Sequence, residues 1–187
     1  MHPANSMNNQ LLIAMPGMAD PNFHSTVTLI CEHNDEGALG IIINRPTGLS
    51  LGGLLQQLAL ENTATEIADA PVLDGGPVAR DRGFVLHSPT EEYESSVAVS
   101  TGIQLTLSRD VLDSLAAGEG PERSVVALGY AGWEAGQLEA EMLQNTWLNV
   151  SATPEMIFDV PFAERWESAA ASMGIDISQI SPHAGHA

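Results

Sequence analysis

Few side chains in this sequence are equipped for chemistry: one cysteine, six histidines and six arginines, set among 24 carboxylates. Cys31 and His33 stand two apart in the alternating run Val27, Leu29, Cys31, His33, so a strand there carries both on one face. A thiol beside an imidazole is the pairing of an activated nucleophile, and the same pair is half of a zinc site. Neither a second ligand pair nor a residue to orient the imidazole accompanies it. The stronger reading is structural, with Cys31 a small buried hydrophobe, His33 bonded to the turn, and no metal. His24, His87, His183 and His186 are the other usable histidines. The last two, three apart in the terminal Pro–His–Ala–Gly–His–Ala, would hold a divalent ion only adventitiously. Among so many acids a histidine–carboxylate pair arises easily by chance, so spacing singles out no acid–base couple.

Two glycine-rich stretches present backbone amides: Gly48–Leu49–Ser50–Leu51–Gly52–Gly53 and Asp74–Gly75–Gly76–Pro77. Such loops cradle anions at helix starts. Neither contains a phosphate-loop lysine or a G-x-G-x-x-G after a strand, so tight turns explain both more simply. Tyr130 and Trp133 bracket Ala131–Gly132, an aromatic loop that either lines a pocket or covers the core, the second being commoner. Arg45, in Asn44–Arg45–Pro46, has two roles open to it. It holds an anionic group beside Gly75 and Gly76 while His33 or His87 moves protons, or it pairs with Asp20 or Asp74, the stronger reading where carboxylates abound.

The elements that must position these residues follow from pattern. Residues 1–9 read as a flexible lead-in and 10–187 as one domain. Leu11 to Met15 is a short strand stopped by Pro16–Gly17. Ser25 to His33 alternates, Asn34–Asp35–Glu36–Gly37 turns, and Ala38 to Asn44 is a strand apolar on both faces, ended by Pro46. Ser50 caps a helix whose inner stripe is Leu51, Leu54, Leu55 and Leu58. Val72–Leu73, Gly83 to His87, Val97 to Ser100, Gln104 to Leu107, Ser124 to Tyr130 and Trp147 to Val150 read as further strands. Ser108 caps a helix closed by Gly118, Glu134 to Asn145 is a helix using Leu138 and Met142, and Thr153–Pro154 opens another. Phe162, Ala163, Trp166, Ala169, Ala170 and Met173 keep helical spacing up to Gly174. Strands and helices mix without strict alternation, which predicts a compact single α+β domain: a twisted mixed sheet flanked by helices.

Charge excludes more than the motifs suggest. There is no lysine, and the formal charge is −18 over 187 residues. Gripping nucleic acid needs clustered cations; here the arginines are scattered, and only Arg80 and Arg82 lie close together. Direct nucleic-acid binding and docking on anionic lipid are both disfavoured. A composition 44% hydrophobic still supplies a core, and no apolar run approaches the roughly 20 residues of a membrane helix. The single cysteine and the lack of a basic segment before Leu11 point to the cytoplasm. The acid excess is either a solvated surface kept soluble by self-repulsion or an adaptation to a salty cytoplasm that screens it.

Taken together, the blocks have a familiar order. His33 to Gly37 followed by Ala38–Leu39–Gly40–Ile41–Ile42–Ile43–Asn44–Arg45–Pro46 resembles the H-x-x-x-G-A-x-G-x-x-x-N-R-P block of the YqgE/AlgH family of bacterial proteins. Ala14–Met15–Pro16 and Asp20–Pro21–Asn22–Phe23 are similar to that family's opening. Gly75–Gly76–Pro77 with Gly83–Phe84–Val85–Leu86–His87 resembles its middle. Leu128 to Trp133, Gly136 to Glu139 and Asn145 to Leu148 resemble a third block, and Ala184–Gly185–His186–Ala187 its ending. The resemblance implies a single-domain α+β fold and, for some members, a label of transcriptional regulation. It brings no agreed catalytic residue, cofactor or ligand, and it raises interest in His33, Asn44, Arg45, Gly75, Gly76, Tyr130 and Trp133. The resulting expectation is an accessory or regulatory protein, not an enzyme, that works through an unidentified protein partner and without a cofactor. Its counterpart is an anion-binding protein or enzyme with a pocket near Asn44–Arg45 and Gly75–Gly76–Pro77.

Overall fold

Alternating and doubly apolar runs become strands, and the Gly- and Pro-rich punctuation between them becomes turns, in the computed structural model, which describes residues 6–61, 67–90 and 93–176. The strands are β1 (Gln10–Ala14), β2 (Val27–Asn34), β3 (Gly37–Ile42), β4 (Pro46–Ser50), β5 (Pro71–Asp74), β6 (Val78–His87), β7 (Ser96–Ser100), β8 (Ile103–Thr106), β9 (Ser124–Glu134) and β10 (Trp147–Ser151). The helices are α1 (Leu51–Gln57), α2 (Asp110–Ala116), α3 (Gln137–Leu143), α4 (Pro154–Phe158) and α5 (Arg165–Ala171), with a 3-10 turn at Phe162–Glu164 before the last.

The strands form one curled sheet in the order β10-β1-β2-β3-β9-β6-β8-β7, with β5 also paired to β9 and β4 to β5. Among the described residues every pairing is antiparallel except β5 with β9, so the expected mixed sheet rests there on a single parallel contact. The long strand β9 joins the halves: Ala131 to Glu134 pair with β3, while Ser124 to Leu128 pair with β6. Gly129, at φ +82°, sits at the register shift within the β6 pairing, between Leu128 and Tyr130.

Three apolar layers cover this sheet. Leu11, Ile13, Leu29, Ile41, Phe84 and Leu86 meet α4 and α5 on the inner side. Val72, Val85 and Val126 take α1 and α2. Leu12, Ile30, Trp133 and Trp147 take α3. The compact α+β reading holds, although the helical flank is modest, since no helix among the described residues exceeds seven residues.

Several boundaries differ from expectation, each for a tertiary reason. The strand expected from Ala38 to Asn44 does stop before Pro46, already at Ile42, and Pro46 opens β4, a strand outside the main ladder where a missing N–H is tolerated. The helix expected from Glu134 starts only at Gln137, because β9 continues through Trp133 and Glu134 to pair with β3. Ser50 caps α1 as expected, accepting from Gly53 N–H at 3.1 Å. Ser108 does not cap α2: Arg109 holds that position, and the Ser108 hydroxyl serves Ser95 N–H and Asp110 instead. Residues 6–9, expected loose, are docked: Asn9 N–H donates to Ile30 O at 2.9 Å, and Met7 packs in the α3 layer. His183 and His186 lie outside the described residues.

Candidate functional site

Strand parity decides which sequence candidates meet. The β2–β3 register slips between Ile30 and Glu32, a bulge with Cys31 as its extra residue. Cys31 stays in the inner core with Leu29 and Ile41, while His33, paired with Ala38, turns to the α3 side. The shared face expected for Cys31 and His33 therefore does not exist. Burial, and secondarily the charge of Glu32, raises the Cys31 thiol pKa strongly, leaving no thiolate nucleophile at neutral pH. His33 is 5% exposed. Its Nδ1 accepts from Met7 N–H at 2.8 Å, so Nε2 carries the proton and donates to the Glu139 carboxylate. His33 thus joins β2, α3 and the N-terminal segment.

The other candidates are also committed inward. Asn44 Oδ1 accepts from Val27 N–H and its Nδ2 donates to Ser25 O, both at 2.9 Å. Arg45 donates to the carbonyls of Asn22 and His24 at 2.6 and 2.8 Å. That corrects the ion pair expected with Asp20 or Asp74, whose Oδ1 atoms accept from Asn22 and Gly76 N–H instead. Gly75 and Gly76 are buried beneath β9, where a Cβ would come within 2.4 Å of Gly129 O or 2.2 Å of the Tyr130 carbonyl carbon. The backbones of these segments do adjoin, Asp74 N–H donating to Arg45 O at 2.7 Å. The Asn44, Arg45 and Asp74 side chains are spent on main-chain hydrogen bonds. His87, fully buried, donates from Nδ1 to Ser88 O at 2.9 Å, so Nε2 accepts from the Thr106 hydroxyl at 2.6 Å.

Tyr130 and Trp133 sit within β9 rather than on a loop, and three residues apart they take opposite faces. Trp133 is 6% exposed in the α3 layer, and its indole N–H donates to Glu141, which also accepts from Trp147. Tyr130 packs on the inner core edge-on to Phe84, ring centres 5.5 Å apart. Beside it lies a solvent-open cleft of about 570 Å³. Alternate positions of β2, β3 and β9 build it: Glu32, Leu39 and Gly132 in one row, Asn34, Gly37 and Glu134 in the next. Val78 and Tyr130, paired across β6 and β9, extend the floor. Glu32, Glu36 and Glu134 are exposed, and none has an ion-pair partner among the described residues.

Of the eight sequence candidates, only Tyr130 and Trp133 border this cleft; His33, Asn44, Arg45, Gly75, Gly76 and His87 do not. Sequence reasoning missed Glu32, Leu39, Val78 and Glu134. The alternation Tyr130-x-Gly132-x-Glu134 marks one face of an extended strand, but it continues only if β9 runs past Gly132. The parity of Glu32 is hidden by the bulge.

Comparison with known proteins agrees with the block order. The profile of the AlgH-like family matches residues 11–178. A UPF0301 protein of Thioalkalivibrio sulfidiphilus is 52% identical over the whole of both chains. Another, from Pseudoalteromonas translucida, is 51% identical over 97% of this chain and 99% of its own. The solution structure of the AlgH protein from Pseudomonas aeruginosa superposes with a TM-score of 0.81 at 46% identity, covering 100% of this chain and 99% of the other. A Corynebacterium diphtheriae protein shares the fold at TM-score 0.74 and 16% identity, over 95% of this chain and 92% of its own. With its block order, its curled sheet and its full-length relatives in agreement, this chain belongs to the AlgH-like family.

Proposed function

We propose that this chain is a cytoplasmic accessory protein that acts by binding another protein, its negative surface selecting a basic partner. The disposition of the arginines carries this reading. Arg45, Arg109 and Arg165 donate to main-chain carbonyls, and Arg123 pairs with Asp159 at 3.3 Å. Among the described residues only Arg80 and Arg82 are exposed with neither an ion pair nor a main-chain carbonyl, with Asp81 between them and Arg82 lying 5.9 Å from the Phe84 ring centre. The carboxylates accordingly face solvent largely uncompensated. A surface of that sign speeds encounter with basic proteins and repels polyanions. The residues considered for proton transfer, His33 and His87, are buried and hold fold contacts, which favours binding over catalysis as the role of this molecule. Any influence on transcription then runs through the partner.

Cross-linking in native extract followed by capture of the protein, repeated at rising salt, tests the reading. Recovery of a basic protein whose retention falls with salt is the expected result. DNA anisotropy at low salt is expected to give no binding tighter than about 1 µM. Tight, salt-sensitive DNA binding would overturn the proposal.

A further inference from the structure

We infer that the cleft beside Tyr130 receives an arginine side chain presented by an extended segment of the partner; this rests on the reading above and specifies its site. The cleft offers both things such a side chain needs. Leu39, Val78 and Tyr130 form an apolar floor against which a three-carbon stem lies without losing its burial to water. Around that floor stand three carboxylates with no cation of their own, Glu32, Glu36 and Glu134. A planar guanidinium takes a carboxylate through two parallel hydrogen bonds and stacks on a phenol ring, which a compact ammonium does less well. Bare backbone at Gly132 leaves the floor open, since a Cβ there would stand 3.4 Å from the Tyr130 ring and 4.0 Å from Val78. Against its three carboxylates the lining sets only the Asn34 amide and the Tyr130 hydroxyl as donor side chains for an anion, the Trp133 indole N–H being spent on Glu141. A wholly apolar segment would strip water from the carboxylates without replacing it.

The test uses the full-length protein and a short fluorescent peptide alternating leucine and arginine, beside the same peptide with citrulline, the neutral isostere. The Glu32→Gln/Glu36→Gln/Glu134→Gln variant removes the rim charges. Glu155→Gln/Glu164→Gln/Glu167→Gln removes as many charges from exposed positions away from the cleft and serves as the electrostatic control. Anisotropy is expected to show the arginine peptide binding parent and control alike, with about tenfold loss in the rim variant and in the citrulline peptide. Equal loss in both variants would reduce the effect to general charge and overturn the site. Retention by the rim variant would do the same. In either case a partner captured by cross-linking leaves the protein-binding role standing, so failure of the site and failure of the role are distinguishable.

Discussion

His87 closes a chain of hydroxyls running from Ser96 to Thr106, 2.6 Å apart, and on to its own Nε2, with Nδ1–H ending on the Ser88 carbonyl. Burial lowers its pKa below the ordinary 6.5, against the opposing effect of the Ser88 carbonyl. The unfolded chain therefore binds a proton there more readily than the fold does. The neutral form's contribution is complete above the unfolded value and drains away as pH falls through it towards the folded one. Melting temperature measured between about pH 7 and pH 5 should fall more steeply for the parent than for His87→Gln. The variant should also be less stable by about 1 kcal/mol at neutral pH, from the altered hydrogen bonds. Parallel pH profiles would remove this role. Arg165 shows the opposite kind of burial. Desolvation lowers its pKa to about 10, so it stays charged, held by the carbonyls of Val160 and Ile43 and stacked 4.2 Å over the Phe162 ring.

Among the elements, β9 governs the architecture, because it pairs on both sides and takes a positive φ at Gly129. The Gly75–Gly76 segment runs close against that point, with Gly75 N–H donating to Leu128 O at 2.8 Å. Gly76 sits at φ +151°, and a methyl group there would lie 2.2 Å from the main chain of Tyr130. Gly76→Ala should cost about 3 kcal/mol in denaturant unfolding, since both backbone conformation and strand spacing must give. A loss below about 0.5 kcal/mol would mean that β9 can move aside, and with it the floor of the cleft. The block Gly75–Gly76–Pro77 was thus legible in the sequence as a special backbone site. That its purpose is the close approach of two strands became visible only in the fold.

For the whole molecule the dominant quantity is the charge of −18. With one ion pair among the described residues, Arg123–Asp159, and neutral His33 only hydrogen-bonded to Glu139, little of that repulsion is cancelled locally. Salt should therefore stabilise: melting temperature is expected to rise from about 10 mM to molar sodium chloride, as the screening length falls from roughly 30 Å to 3 Å. A flat or falling midpoint would show that self-repulsion does not limit stability and would end the idea of adaptation to a salty interior.

By itself the sequence determined the α+β class, the position of most strands along the chain, the cap at Ser50 and the turn between β2 and β3. These depend on local periodicity and on residues with few backbone options. It also determined the shortage of available cations, a matter of composition alone. Tertiary structure decided the rest. The bulge at Cys31 reversed the parity of β2 and parted Cys31 from His33, and pairing with β3 carried β9 past the point where its own pattern would stop. The cleft exists because three strands place alternate residues in common rows, and no single stretch of chain records which row its neighbour will meet.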